Sequence, residues 1–163
     1  MIEIVIFDLD GTLVHLPIDY EMLFDEFKQI MHVDNVRLVV ATVSRADEKT
    51  RKLVFEAWDK AELAVSGKIT LNEEGMKTYR KFMDKQKVLV TLQGKAVVET
   101  IQQQCNLTFD VVVTREDALF RVDQLMKAIS QLKKEPKNVL FVGNADSDAE
   151  AAEKIGCQFQ RIK

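Results

Sequence analysis

Cysteine and proline are scarce in this chain, whose 163 residues include only two of each. Cys105 and Cys157 are far apart in the sequence and match no metal-binding spacing. We interpret them as reduced thiols of a cytoplasmic protein and not as a disulfide. No apolar run is long enough to span a bilayer, so we expect no membrane segment. The apolar N-terminus lacks the basic start and the small-residue cleavage site of a signal peptide.

A positive net charge is absent as well. Acidic residues (26) outnumber basic residues (23), and the formal net charge is −3. Because nucleic acids are bound through broad basic surfaces, we expect no nucleic-acid partner. The hydrophobic fraction of 47% and the charged fraction of 30% are typical of a globular protein. The length fits one compact domain with a small inserted subdomain. Nothing in the sequence indicates an oligomeric state.

The stretch that carries the most information is the N-terminal segment 1–13, MIEIVIFDLDGTL. Its apolar run at 2–7 predicts a buried strand of a parallel sheet, and the acidic and glycine residues that follow predict the exit turn. Asp8 and Asp10 are two positions apart and so lean to the same side. Ligands of open α/β sheets bind at the carboxyl ends of strands, which favours a functional site over a solvated turn. Two close carboxylates require a cation, a shared proton or a basic side chain nearby.

The pattern between residues 18 and 84 is helical and predicts no parallel strand. Typical N-cap residues precede three predicted helices: Asp19 before 20–31, Ser44 before a helix ending near Gly67, and Asn72 before 73–83. The short apolar segment 36–43 fits either a helix or a strand.

From residue 87 onward, short apolar strands alternate with amphipathic helices. The predicted strands are 88–91, 109–113, 138–142 and 157–162, and the predicted helices are 94–105, 121–133 and 146–155. With the N-terminal strand, this alternation predicts an α/β fold with a parallel sheet of about five strands.

The segment Asp8-Leu9-Asp10-Gly11-Thr12-Leu13 resembles the first motif of the haloacid dehalogenase-like superfamily of phosphohydrolases. The helical segment between the first two strands is similar to the cap of phosphoglycolate phosphatase-like members. The resemblance implies a Rossmann-like three-layer core formed by 1–15 and 85–163, with a small helical cap at 16–84. Members that cleave carbon–halogen bonds lack an acid at the position of Asp10, so dehalogenation is disfavoured.

The first motif also implies roles for its residues. Asp8 would be the nucleophile that forms an aspartyl-phosphate. Asp10 would protonate the leaving oxygen and then activate water. Gly11 permits a tight turn beside the phosphate. Thr12 either contacts the substrate or only closes this turn.

The strand at 88–91 ends in Thr91, as in the second motif of the family. The resemblance implies that the Thr91 hydroxyl binds phosphate oxygens, with help from the start of the following helix. Leu92 and Gln93 come next and are also predicted to contact the substrate.

The third and fourth motifs depart from the family pattern. The lysine of the third motif is missing, and Arg121 at a predicted helix start is its candidate replacement, the alternative being a surface residue. In the fourth motif the first acid has become Asn144, and Asp148 is retained. The resemblance implies a Mg²⁺ site formed by Asp8, Asp10, Asn144 and Asp148, which the loss of one anionic ligand should weaken. Asp146 either compensates for this loss or caps a helix.

These patterns predict a Mg²⁺-dependent phosphohydrolase that acts on a small phosphorylated metabolite through an aspartyl-phosphate. Arg121 and Asn144 favour an alternative, a catalytically impaired member that binds a phosphorylated ligand or a protein partner. A phosphoryl-transfer mutase would use the same Asp8 and Asp10.

Overall fold

The computed structural model describes the whole chain, residues 1–163, as a layered α/β structure. The strands are β1 (Ile4–Phe7), β2 (Val14–His15), β3 (Thr70–Leu71), β4 (Gln86–Val90), β5 (Val111–Val113), β6 (Val139–Gly143) and β7 (Gln158–Arg161). The helices are α1 (Tyr20–Met31), α2 (Val39–Arg45), α3 (Glu48–Ala64), α4 (Glu73–Lys81), α5 (Lys95–Cys105), α6 (Arg121–Gln131) and α7 (Asp146–Ile155). None of the helices combines the length and the hydrophobicity needed to cross a membrane.

Five of the strands form one parallel sheet in the order β5-β4-β1-β6-β7. The predicted α/β fold class and five-stranded parallel sheet are therefore confirmed. All four residues of β1 are buried, because it is the central strand and both of its faces are covered. Side chains from α4 and α5 pack on the face of Phe7, and side chains from α6 and α7 pack on the face of Ile6.

The three helices that follow β1 have an apolar core of their own, and we call α1–α3 the helical insert. Phe27 and Trp58 lie at its centre, with ring centroids 5.3 Å apart. Helix α1 begins after Asp19, as predicted, and the Asp19 side chain accepts a hydrogen bond from the Met22 backbone. Helix α3 begins after Asp47 and not after Ser44, which lies inside α2.

Helix α4 packs differently from the prediction that placed it among the inserted helices. The antiparallel pair β2–β3 returns the chain to the sheet, and Tyr79 of α4 packs against Phe7 at 5.7 Å between ring centroids. Gly75 lies against the backbone carbonyl of Thr12. The contacts therefore group α4 with the core, whereas the role of the helical insert as a cap stays a prediction.

A buried ionic cluster joins the helical insert to the core. Arg115, two residues after the end of β5, is 1% exposed and donates hydrogen bonds to Asp59 and, at 2.7 Å, to Glu62 of α3. Its guanidinium carbon lies 4.6 Å from the ring centroid of Trp58. Glu62 also accepts a hydrogen bond of 3.0 Å from the Gly94 backbone. Without these carboxylates Arg115 would be a buried unpaired charge, so the cluster favours one position of α3 on the core.

Burial has a large electrostatic effect on this cluster. It raises the pKa of Glu62 from its ordinary 4.5 to about 7, although the Arg115 guanidinium opposes the shift. All three buried side-chain polar atoms that lack a hydrogen-bond partner belong to residues of this cluster: Trp58 Nε1, Glu62 Oε2 and Arg115 Nε.

Replacing Gly75 with alanine should destabilise the protein. A Cβ atom at this position would lie 1.7 Å from the Thr12 carbonyl oxygen, which is a backbone atom and cannot rotate away. We expect the free energy of unfolding to fall by about 1–3 kcal/mol, measured by urea denaturation. Gly67→Ala is the matched control, because a Cβ there meets no atom within 4 Å. Equal stability of the two variants would contradict the packing of α4 on the first motif.

Replacing Glu62 with glutamine should reduce the pH dependence of stability. Because burial raises the pKa of Glu62, the folded state binds its proton more tightly than the unfolded chain does. Stability should therefore fall as pH rises from about 4.5 to about 7, by up to roughly 3 kcal/mol. Glu62→Gln cannot titrate and should flatten the curve of unfolding free energy against pH in this window. The exposed Glu153→Gln is the control, and a flattening of equal size in the control would contradict the assignment.

Candidate active site

The carboxyl ends of three adjacent strands bring the predicted motifs together. Asp8 follows β1, Thr91 follows β4 and Asn144 follows β6, and β1 pairs with both other strands. Parallel strands end at the same edge of a sheet, so residues that are far apart in the sequence meet there.

Asp8 lies at the centre of this edge and is 5% exposed. Its Oδ1 accepts a hydrogen bond of 3.1 Å from Arg121 Nη2, and its Oδ2 lies 3.4 Å from the Thr12 hydroxyl. The same hydroxyl lies 3.2 Å from Asn144 Oδ1. Burial raises the pKa of Asp8, and the opposing effect of the Arg121 charge is smaller.

Arg121, the first residue of α6, is part of the site and is not a surface residue. Its Nε donates to Asp148 Oδ1 at 3.0 Å, while Nη2 donates to Asp8. Its Nη1 donates to Gln124 Oε1 at 2.7 Å, which holds the guanidinium plane in place. The planar fork bridges two carboxylates at once, a geometry that the point-like charge of a lysine does not provide.

Asp148 is almost fully buried and closes the turn after β6. Its Oδ2 accepts hydrogen bonds from the backbones of Asn144 and Ala145, at 3.2 and 3.1 Å. Asp146, by contrast, is exposed and its carboxylate pairs with Arg161 at 2.9 Å. Asp146 therefore does not replace the acid that is missing at Asn144.

The Asp10 side chain points toward the helical insert. Its Oδ1 accepts a hydrogen bond from the Leu16 backbone at 3.0 Å, and its Oδ2 accepts one from the Tyr20 hydroxyl at 3.3 Å. Burial raises the pKa of Asp10 above its ordinary value and also raises the pKa of Tyr20. The raised pKa values favour the protonated forms of the Asp10 carboxyl and the Tyr20 hydroxyl.

Gly11 has the backbone conformation that the turn after Asp10 requires. Its φ is +80°, and a Cβ atom there would lie 2.3 Å from the Asn144 side chain. Only glycine adopts this conformation without strain and also leaves room for Asn144.

The sequence predicts that the start of α5 helps to bind phosphate, but two of its N–H groups already donate to carboxylates of the protein. The Gly94 N–H donates to Glu62, and the Lys95 N–H donates to Glu116 at 3.2 Å. The buried Thr91 hydroxyl donates to the side-chain oxygen of Gln93. In this arrangement, the Thr91 hydroxyl and the Gly94 and Lys95 N–H groups are committed to internal hydrogen bonds.

A cavity of about 180 Å³ lies over the two acids of the first motif. The core and the helical insert share its lining, which consists of Asp8, Asp10, Tyr20, Phe24, Val39, Trp58, Leu92, Gln93 and Arg121.

The four predicted metal ligands are not gathered around one point. No group of three or more Asp, Glu, His or Cys side chains is arranged to hold a metal ion. The oxygens of Asp10 and Asp148 are hydrogen-bonded elsewhere, which argues against both as direct ligands. Asp8 Oδ2 and Asn144 Oδ1 remain, and they converge on the Thr12 hydroxyl. Carboxylate and amide oxygens fit a hard cation such as Mg²⁺, with only one anionic ligand among the two.

Sequence reasoning did not identify Tyr20, Trp58, Glu62 and Arg115 as parts of the site or its surroundings. One signal was present, because Arg115 follows a predicted strand at the edge where ligands bind. Its partners on α3 carry no local signal, since they lie more than fifty positions away in the sequence.

Comparisons with known proteins agree with this architecture. The sequence model of the family described as haloacid dehalogenase-like hydrolase matches residues 25–162. Among curated proteins no relative matches the chain.

Three solved structures illustrate the likeness. A haloacid dehalogenase-like family protein from Streptococcus pneumoniae has 16% identity and a TM-score of 0.71, with coverage of 99% of this chain and 85% of that one. A phosphatase of the same family from Thermococcus onnurineus has 21% identity and a TM-score of 0.68, with coverage of 99% and 86%. A Lactobacillus plantarum protein provisionally assigned as a phosphoglycolate phosphatase has 17% identity and a TM-score of 0.69, with coverage of 98% and 86%. The family match spans most of the sequence and the fold agrees along almost its whole length, so the chain belongs to the haloacid dehalogenase-like hydrolases.

Proposed function

We propose that this hydrolase is a phosphatase that cleaves a small phosphate monoester through an aspartyl-phosphate intermediate. The observation that carries the proposal is the pairing of Asp8 with Arg121 at 3.1 Å beside a second acid, Asp10, on one small cavity. A nucleophile, a cation for the phosphoryl oxygens and a proton donor are the groups that this reaction requires. The solved phosphatase from Thermococcus onnurineus, which has the same fold, supports the assignment.

The reaction has two steps. A carboxylate oxygen of Asp8 attacks phosphorus, and the bond between phosphorus and the leaving oxygen breaks as Asp10 gives that oxygen its proton. Asp10, now a carboxylate, then takes a proton from water, and this water attacks the phosphorus of the aspartyl-phosphate. Inorganic phosphate is released, and Asp8 and Asp10 return to their starting states.

Several neighbours support these steps. Burial raises the pKa of Asp10, which favours the protonated form that the first step needs. The Leu16 N–H and the Tyr20 hydroxyl hold the Asp10 carboxyl in one orientation. Arg121 offsets the negative charge that Asp8 and the phosphoryl group share.

We assign the remaining predicted substrate contacts by their positions. Gln93 and Leu92 line the cavity, and Gln93 can donate a hydrogen bond through its amide nitrogen because its amide oxygen is bound to Thr91. Gly11 lets the turn approach the phosphate closely, and Thr12 orients Asp8 through its hydroxyl. Thr91 holds Gln93 in position, and we propose no direct phosphate contact for it in this arrangement.

Magnesium would be held by Asp8 Oδ2 and Asn144 Oδ1. When bound there, the ion would supply positive charge to offset the charge on the phosphoryl oxygens.

The helical insert would act as a cap. Tyr20, Phe24, Val39 and Trp58 reach the cavity from α1, α2 and α3, so the insert separates the two acids from bulk water. We place α4 with the core, so the cap comprises residues 20–64 rather than the predicted 16–84.

A second candidate function is binding of a phosphorylated ligand without efficient turnover. Two observations favour it. Asn144 has an amide where the family pattern has an acid, and the Gly94 and Lys95 N–H groups at the start of α5 already donate to Glu62 and Glu116. Measurement of hydrolysis distinguishes the two candidates.

Asp8→Asn should abolish phosphatase activity. An amide is a poor nucleophile, so release of phosphate from an aryl phosphate in the presence of Mg²⁺ should fall by about 1,000-fold or more. The control is Asp146→Asn, which removes a carboxylate from an exposed ion pair near the site and should leave the rate unchanged. Undiminished activity of Asp8→Asn would overturn the nucleophile assignment. Absence of hydrolysis by the wild-type protein would favour the binding function.

Asn144→Asp should tighten Mg²⁺ binding. The substitution restores a second anionic ligand beside Asp8 Oδ2, and we expect the Kd for Mg²⁺ to fall by about tenfold. Isothermal titration calorimetry with MgCl₂ measures this change independently of catalysis. Asp146→Asn again serves as control and should bind Mg²⁺ as the wild type does. An unchanged Kd in Asn144→Asp would show that residue 144 is not a ligand.

A further inference from the structure

The residues that line the cavity over Asp8 and Asp10 restrict which substrates can bind there. We propose that the leaving group of the phosphate ester is small, apolar and uncharged, and that a second anionic group on the substrate is rejected. This proposal rests on the proposed phosphatase function, and it concerns the part of the substrate that lies beyond the phosphoryl group.

The walls of the cavity above the two acids are mostly apolar. The helical insert contributes Phe24, Val39 and Trp58, and the core contributes Leu92. At about 180 Å³ the cavity is smaller than the 300 Å³ or so at which pockets for larger ligands begin. An apolar leaving group of a few carbon atoms would bury its surface against these walls.

Positive charge in the lining is limited to one residue. Arg121 is the only lysine, arginine or histidine that lines the cavity, and it already pairs with Asp8 and Asp148. A phosphoryl group bound at Asp8 would compete for this single guanidinium. No basic side chain of the helical insert is left to receive a carboxylate or a second phosphate on the leaving group.

A second cation lies nearby but is separated from the cavity. Arg115 stacks on the Trp58 ring and is almost fully buried, so the indole covers its guanidinium. Its charge is offset by Asp59 and Glu62. The unpartnered polar atom of Trp58, Nε1, is a neutral donor and adds no positive charge.

Binding of an anionic leaving group in this cavity would therefore cost much free energy. The group would lose its hydration without gaining a cationic partner, and it would lie near the carboxyls of Asp8 and Asp10. A neutral alkyl group of the same shape would meet neither penalty.

An isosteric pair of esters tests the proposal. Phosphoglycolate and isobutyl phosphate have leaving groups of nearly the same shape, and only the former carries a carboxylate, which is a second anionic group beside the phosphate. We expect kcat/KM for isobutyl phosphate to exceed that for phosphoglycolate by at least about tenfold. An aryl phosphate in the same assay reports whether the protein is a phosphatase at all.

A cation introduced into the wall should reverse the preference. Val39→Lys places an ammonium group in the lining and should shift the ratio toward phosphoglycolate by about tenfold or more. Leu38→Lys is the matched control, because Leu38 is 73% exposed, precedes Val39 in the chain and does not line the cavity. The control should keep the wild-type ratio.

The outcomes distinguish failure of the substrate proposal from failure of the proposed phosphatase function. Hydrolysis of the aryl phosphate together with equal or better turnover of phosphoglycolate by the wild type would overturn the substrate proposal alone. Hydrolysis of the aryl phosphate but of neither alkyl ester would overturn it as well. Absence of hydrolysis of all three esters would overturn the proposed function and the substrate proposal with it. The wild-type ratio is decisive even if Val39→Lys does not fold.

Discussion

The ion pair between Arg121 and the two buried acids Asp8 and Asp148 is the constraint on which the rest of the site depends. Three carboxyls, including Asp10, lie near the carboxyl end of one buried strand, where mutual repulsion and loss of hydration both act against ionised groups. One guanidinium bridges two of them, and its planar fork is held by Gln124. The third carboxyl is turned aside and held by donors from the following loop and helix.

A second buried arginine, Arg115, has a structural role. Arg115 joins α3 to the loops after β4 and β5, and it supports the Trp58 ring that forms one wall of the cavity. The charge of this cluster is thus kept behind an aromatic wall, whereas the charge of Arg121 faces the reacting groups. In the proposed reaction, this separation of the two cations suits the site to one phosphoryl group and not to two anionic groups.

Local patterns were sufficient for most of the helices and strands. The apolar run of β1, the alternation of strands and helices, and the N-cap residues Asp19 and Asn72 led to the correct elements and to a five-stranded parallel sheet. Errors occurred where several local signals competed. Ser44 and Asp47 are both good N-caps, and only packing of the helical insert selects Asp47. The amphipathic pattern of α4 shows that one face is buried but not which core covers it.

The sequence by itself determined the fold class, the first motif and the meeting of Asp8, Thr91 and Asn144 at one sheet edge, because strand direction and motif position follow from neighbours in the chain. Only the tertiary structure decided that Arg121 reaches Asp8, a residue 113 positions away, and that the start of α5 is occupied by carboxylates. The physical reason is that these contacts depend on the relative placement of separate elements. Local periodicity shows which face of an element is buried, but burial alone does not identify the partner across the interface.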